Sequence, residues 1–302
     1  MTTAPTAGPV TAVLELTDGR RLALLAEGPE GGVPLLFFHG TPFAAVPHPR
    51  LADAAAERGL RTVSWSRPGY AGSTRRPGRT VGQVAEDASE VLSRIGAERF
   101  VALGWSGGGP HALACATLLA DRCAGAATLG GVAPYGVDGL DWTAGMGPEN
   151  VDEFAAAAAG EEALRTFLEQ AATELASVTG AEVAASLGGL VSPVDVAALD
   201  EPLADYLAAG MRAALGGGVD GWVDDDLAFV ADWGFEPGSP RCPVTVWQGG
   251  QDLMVPLSHG AWLASHLPAV EGELLADEGH LSLFTGHLGS VLDRLAAAAG
   301  RP

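Results

Sequence analysis

From residue 10 to residue 131, short apolar runs alternate with stretches of helical periodicity. TAVLEL (11–16) and RLALLAE (21–27) flank Asp18-Gly19, a dipeptide that turns hairpins, and predict two paired strands. VPLLFFHG (33–40) is apolar without interruption, as expected of a strand covered on both faces. A helix is predicted over about 49–58, a strand over LRTVSW (60–65), a helix over about 81–95 and a strand over RFVALGW (99–105). After three glycines come a helix to about residue 120 and the strand AGAATLGG (124–131). Strands that alternate with helices imply a mostly parallel sheet with right-handed crossovers.

The alternation then stops. Residues 149–176 have helical composition throughout, with Phe154, Leu164, Phe167, Leu168 and Leu175 available as an apolar stripe. Further helices are predicted over about 181–187, over 194–215 with a bend near Pro202, and over 222–231; no strand pattern occurs. Alternation resumes with the strand CPVTVWQG (242–249), a helix over 256–267, the strand VEGELLA (270–276) and a closing helix over 286–299. The fold class read from this pattern is α/β: a mostly parallel sheet flanked by helices, with an inserted all-helical segment. The predicted divisions are 1–133 and 237–302 for the two parts of the core and 134–236 for the insertion.

Composition sharpens that division. The formal net charge is −20, and all 17 basic residues are arginine. Residues 134–236 hold 20 acidic side chains against Arg165 and Arg212, a net of −18; the remainder balances 17 acids against 15 arginines. A chain this acidic is not expected to bind nucleic acid. No apolar run is long enough to span a membrane. Residues 1–9 carry neither the charge nor the apolar stretch of a signal peptide and are expected to form a loose tail. Cys115, Cys123 and Cys242 are odd in number, without metal-site spacing, and are expected to be reduced core residues of a cytoplasmic protein.

The chemistry begins at LGWSGGGPHALA (103–114). Gly104, Trp105, Ser106, Gly107 and Gly108 form the pattern G-x-S-x-G between a predicted strand and a predicted helix, the context of a nucleophile elbow. A serine on so sharp a turn leaves no room for side chains two residues before and after it, where Gly104 and Gly108 stand. The N–H of Gly107 would point to where an oxyanion forms, at the positive end of a helix. The stretch has neither the lysine of a phosphate-binding P-loop nor the spacing of a dinucleotide-binding turn.

A serine hydroxyl needs a base. Of seven histidines, His280 in DEGHLS lies in a predicted loop directly after the last strand, at a sheet edge from which it can reach Ser106. Asp252 in WQGGQDLMVP follows the preceding strand and is the candidate for orienting the imidazole. Each of the three follows a different strand, in the order Ser, Asp, His, which is the chain order of the α/β-hydrolase triad.

Taken together, these stretches resemble capped serine hydrolases of the α/β-hydrolase fold, of the proline iminopeptidase-like and esterase-like kind. The resemblance covers nearly the whole chain. HGTP (39–42) resembles the family's oxyanion loop, which implies that Thr41 supplies the second backbone N–H. SRPGYAGS (66–73) resembles a structural turn of the family, with Ser66 where aspartate is usual. The resemblance also implies a second placement of the acid, found in some members after the core strand that precedes that of Asp252, for which Asp138 and Asp141 are the candidates. Related epoxide hydrolases and dehalogenases carry aspartate at the nucleophile position, where this chain has Ser106. The resemblance implies acyl transfer from Ser106 with no metal or organic cofactor, a small-molecule substrate, and an insertion that roofs the pocket. It leaves open ester against amide hydrolysis, an aminopeptidase whose cap carboxylates hold an ammonium group, and a non-catalytic receptor on the same fold. No feature of the pattern sets an oligomeric state.

Overall fold

The computed structural model describes residues 9–267 and 270–300. Apart from Pro9, the tail expected over residues 1–9 lies outside them. Eight strands form one sheet: β1 (Val10–Glu15), β2 (Arg21–Glu27), β3 (Val33–Phe38), β4 (Leu60–Trp65), β5 (Phe100–Trp105), β6 (Cys123–Leu129), β7 (Val244–Gly249) and β8 (Val270–Leu275). Their order is β1-β2-β4-β3-β5-β6-β7-β8. β2 runs antiparallel to both β1 and β4, and every other pairing is parallel.

Strand period explains how both faces are covered. Leu36 and Phe38 of β3, with Phe100 and Ala102 of β5, join one apolar core together with the helices α2 (Val84–Arg94) and α3 (Gly109–Leu118). Leu35, Phe37, Val101 and Leu103 point the other way. There they pack with α1 (Leu51–Ala56) and α11 (His280–Ala299), while α10 (Leu257–His266) lies against β7 and β8. All six residues of β5 and of β7 are buried, as central strands require.

Between β6 and β7 the chain forms α4 (Pro148–Ala159), α5 (Glu161–Leu175), α6 (Val183–Ser186), α7 (Pro193–Ala198), α8 (Glu201–Leu215) and α9 (Asp220–Val230), with short 3₁₀ turns and no strand among the described residues. Two of these breaks differ from the sequence reading. The single helix expected over 149–176 is divided at Gly160, whose φ of +113° no helix accommodates. The bent helix expected over 194–215 is two helices, because Pro202 can begin a helix but not continue one. Asp200 caps the second by accepting from the Leu203 N–H at 3.1 Å.

A third difference touches the candidate base. His280 does not lie in a loop before a helix at residue 286; it is the first residue of the 20-residue helix α11. The local sequence hides this start, since the residue at the N-cap is Gly279, without a side chain to cap the helix.

The three cysteines are buried and unbridged, with Cys123 and Cys242 Sγ atoms 3.7 Å apart. Among the described residues, no helix is long and apolar enough to cross a membrane.

Candidate active site

Parallel register gathers the candidate residues at one end of the sheet. Phe38 of β3 pairs with Gly104 of β5, so residues 39–41 and Ser106 leave neighbouring strands side by side. Trp105 pairs with Leu129, and Leu129 with Trp247, which brings Gly130 and the loop that holds Asp252 to the same edge. The chain turns left from β3 to β4 and later returns to the right at β5. The crevice above the carboxyl ends of β3 and β5 is therefore a topological switch point, where α/β sheets bind ligands.

Ser106 stands in that crevice with φ of +56°, one of two non-glycine residues in the left-handed region among those described. Such a backbone costs on the order of 1–3 kcal/mol and persists only where the surroundings enforce it. Here they do. A Cβ on Gly104 would lie 2.2 Å from the Gly108 carbonyl oxygen, and one on Gly108 only 1.9 Å from that of Phe38. A Cβ on Gly107 would fall 2.5 Å from Thr41 Oγ1. The glycines thus permit three backbones to close around one hydroxyl.

His280 Nδ1 and Asp252 Oδ2 are 2.7 Å apart, and both side chains are buried. Asp252 Oδ1 accepts the amides of Met254 and Val255, at 2.9 and 2.7 Å, and Oδ2 accepts Gln248 Nε2 at 3.1 Å. Burial opposes a charged imidazolium, but the Asp252 carboxylate outweighs it and raises the His280 pKa above the ordinary histidine value. Trp105 stacks behind the ring, with centroids 5.9 Å apart. Gly130, at φ +56°, passes so close that a Cβ would lie 2.8 Å from the imidazole. Asp138 and Asp141 make no bond to His280.

The other histidines are occupied elsewhere. Burial, with the positive Arg67 beside it, holds the His39 pKa down to about 3; its ring contacts the Trp65 and Gly40 carbonyls. Burial lowers His48 and His259 to about 4 each and His111 well below its ordinary value. His266 contacts the Trp262 carbonyl at the exposed end of α10, and His287 pairs with Glu278.

Ser106, His280, Thr41 and Gly107 line a cavity of about 570 Å³, together with apolar residues of the insertion such as Phe154, Leu207 and Phe229. Ser106 Oγ has no hydrogen-bond partner among the described residues, so the structure brings Ser106 and His280 to one cavity without bonding them. The amide of Thr41 likewise donates to no protein group among the described residues.

The loop carrying Thr41 is held by charge. Arg67 donates to the carbonyls of His39 and Gly40, at 2.6 and 2.8 Å, and to Thr41 Oγ1 at 2.8 Å. Thr41 Oγ1 in turn donates to Asp225 Oδ2 at 2.8 Å. Asp225, on α9, also receives Arg67, Arg79 and Tyr70, and is fully buried. Burial alone would raise its pKa, but the two guanidinium groups overcome that and hold it well below the carboxylate range. The sequence reading missed Asp225. One of three consecutive acids in a strongly acidic segment carries no local mark of burial.

A profile of the α/β hydrolase fold family matches residues 33–287, more than half of the chain. The chain belongs to the α/β-hydrolase fold family. Solved α/β structures agree in shape. A hydrolase from Pseudomonas aeruginosa PA01 superposes with a TM-score of 0.66 at 19% identity, over 96% of this chain and 98% of that one. An esterase from Exiguobacterium antarcticum gives 0.63 at 18%, over 97% and 100%. A laboratory-evolved variant of potato epoxide hydrolase gives 0.67 at 17%, over 96% and 99%. At these identities the likeness is one of fold. No curated protein matches the chain in sequence. Within this α/β-hydrolase fold, the insertion between β6 and β7 supplies walls of the cavity that holds Ser106.

Proposed function

We propose that the protein is a serine hydrolase that cleaves ester or amide bonds of small substrates through an acyl-enzyme. The observation that carries this reading is Ser106 on a strained elbow, sharing a cavity with a buried His280–Asp252 pair. His280 Nε2 takes the proton of Ser106 as Oγ attacks the carbonyl carbon. The tetrahedral oxyanion is held by the Thr41 and Gly107 amides. Collapse expels the leaving group with the proton from His280. Water, deprotonated by the same imidazole, then releases the acid and restores the serine. Asp252 fixes the tautomer and stabilises the imidazolium. Residues 134–236 act as a cap that shapes the substrate pocket.

A second reading, aminopeptidase activity, is favoured by one feature of the cavity wall. Glu153 and Asp226 face each other there, and no N–H or hydroxyl reaches either Asp226 oxygen. Burial, reinforced by Glu153, pushes the Asp226 pKa far up. An ammonium group of a substrate would supply the missing charge.

Labelling with a fluorophosphonate probe tests the first reading. Wild-type protein should react at one serine, and Ser106→Ala should abolish labelling while circular dichroism stays unchanged. Undiminished labelling of Ser106→Ala, or an unreactive wild type, overturns the assignment; the second outcome returns the protein to a ligand-binding role. Acyl esters compared with aminoacyl amides then separate esterase from aminopeptidase.

A further inference from the structure

Helix α11 opens on His280, and its first amides need acceptors that Gly279 does not have. They find one on another segment. Asp195, on α7 of the insertion, accepts the amides of Leu281 and Ser282 with Oδ1, at 2.7 and 3.0 Å. Its Oδ2 accepts the His280 amide at 3.1 Å and the Ser192 hydroxyl at 2.9 Å. Asp195 is 0% exposed. A Cβ on Gly279 would lie 2.4 Å from both carboxylate oxygens, so the glycine admits the remote cap.

Asp195 therefore grips the backbone turn from which the His280 imidazole projects. It also places a second buried negative charge near a ring already bonded to Asp252. We propose that Asp195 is a positioning residue for His280, fixing the approach of the imidazole to Ser106, so that the insertion helps to build the catalytic centre as well as the pocket. The proposal rests on the serine hydrolase reading. The physical logic is that of a carboxylate–histidine pair extended by one carboxylate. As Ser106 gives up its proton, positive charge develops on His280, and a fixed negative charge nearby stabilises it without reorganisation. The charged groups facing His280 are Asp252, from the loop after β7, and Asp195, from α7; both raise its proton affinity against the effect of burial. Glu278, just before the helix, is engaged by Ser282 Oγ and His287. Glu153 and Asp226 line the same cavity.

The test is the pH profile of fluorophosphonate labelling for wild type, Ser106→Ala and Asp195→Asn, with the far-downfield proton resonance of the His280 Nδ1–H···Asp252 bond as a second readout. Asparagine keeps a capping oxygen and removes the charge. The Asp195→Asn rate should fall roughly 10- to 100-fold, the scale on which a small displacement of a reacting group slows reaction. Its pH midpoint should move down, because the histidine loses a neighbour that favours its charged form, and the downfield resonance should shift. Unchanged rate, midpoint and resonance, with labelling still dependent on Ser106, would reduce Asp195 to a helix cap and overturn the proposal. Labelling that survives in Ser106→Ala overturns the underlying reading instead. If Asp195→Asn does not fold, Asp195→Ser, also a cap former without charge, provides the same measurements.

Discussion

Asp224, Asp225 and Asp226 are consecutive in α9, and a helix turns about 100° per residue, so three neighbouring carboxylates point in three directions. Asp224 meets Arg75 through both oxygens, Asp225 binds Arg67 and Arg79, and Asp226 faces Glu153 on the cavity wall. Each therefore has a different chemistry despite identical composition. At the site itself, the proposed base must be neutral to accept a proton. Because the Asp252 carboxylate raises the His280 pKa against burial, kcat/KM should rise with pH through a midpoint above the ordinary histidine value of about 6.5. A flat profile, or a midpoint well below that value, would contradict the His280 assignment. Asp252→Asn should lower kcat roughly 10⁴-fold, as expected when the imidazole is left in the wrong tautomer. Full activity in that variant would remove Asp252 from the mechanism. Gly130→Ala should also suppress activity, since its methyl would enter the space of the imidazole; steady-state kinetics on folded protein would check this.

Among elements, α9 ties the insertion to the core beneath it. Asp225 reaches from that helix to Arg67, Arg79, Tyr70 and Thr41, so one carboxylate joins the insertion to the loop after β3. Removing one partner of a buried ion pair strands the other charge at a cost of about 3–5 kcal/mol. Asp225→Ala should accordingly lower stability by that order, measured by urea denaturation, and weaken any activity that uses the Thr41 amide. A loss below about 1 kcal/mol would show that Arg67 and Arg79 find new acceptors. The break at Gly160 is a contrasting device. It lets α4 and α5 fold against each other without any side-chain partner, through a backbone conformation closed to other residues.

For the molecule as a whole, the −18 charge of residues 134–236 resolves into two populations. Thirteen of the twenty acids are exposed, while Asp195, Asp224, Asp225 and Asp226 are buried. The exposed majority is a solvated surface whose field is screened over about 10 Å at 0.1 M salt. We therefore expect kcat/KM for a neutral short-chain ester to change little between low and moderate ionic strength. Turnover restricted to aminoacyl amides, with a rate that falls steeply as salt increases, would favour the aminopeptidase reading. The buried pair has its own signature in stability. A carboxyl whose folded pKa lies above its unfolded value contributes stability that is complete below the unfolded pKa and is lost as pH rises through the folded one. Asp226, raised by burial and by Glu153, belongs to this class. Asp226→Asn should thus flatten the loss of Tm on the alkaline side, and an unchanged pH–Tm curve would argue against a raised Asp226 pKa.

Period and punctuation along the chain were enough to reveal the alternating core, the helical interruption and a serine cleared by glycines, because these are local properties. Apolar spacing marks a strand or helix wherever it packs, and Gly104 and Gly108 answer to a turn made by their immediate neighbours. The division at Gly160 and the early start of α11 were less legible, since a single glycine is compatible with several conformations until its φ is known. Asp195, Asp225 and the Glu153–Asp226 pair were hidden altogether. A carboxylate becomes a helix cap, an ion-pair anchor or one half of a buried acidic pair according to what a distant segment brings against it. Asp195 lies 85 residues before His280, and Asp225 lies 158 after Arg67. Such distances are closed only by tertiary packing, which excludes water from some acids of a uniformly acidic segment and leaves the rest in it.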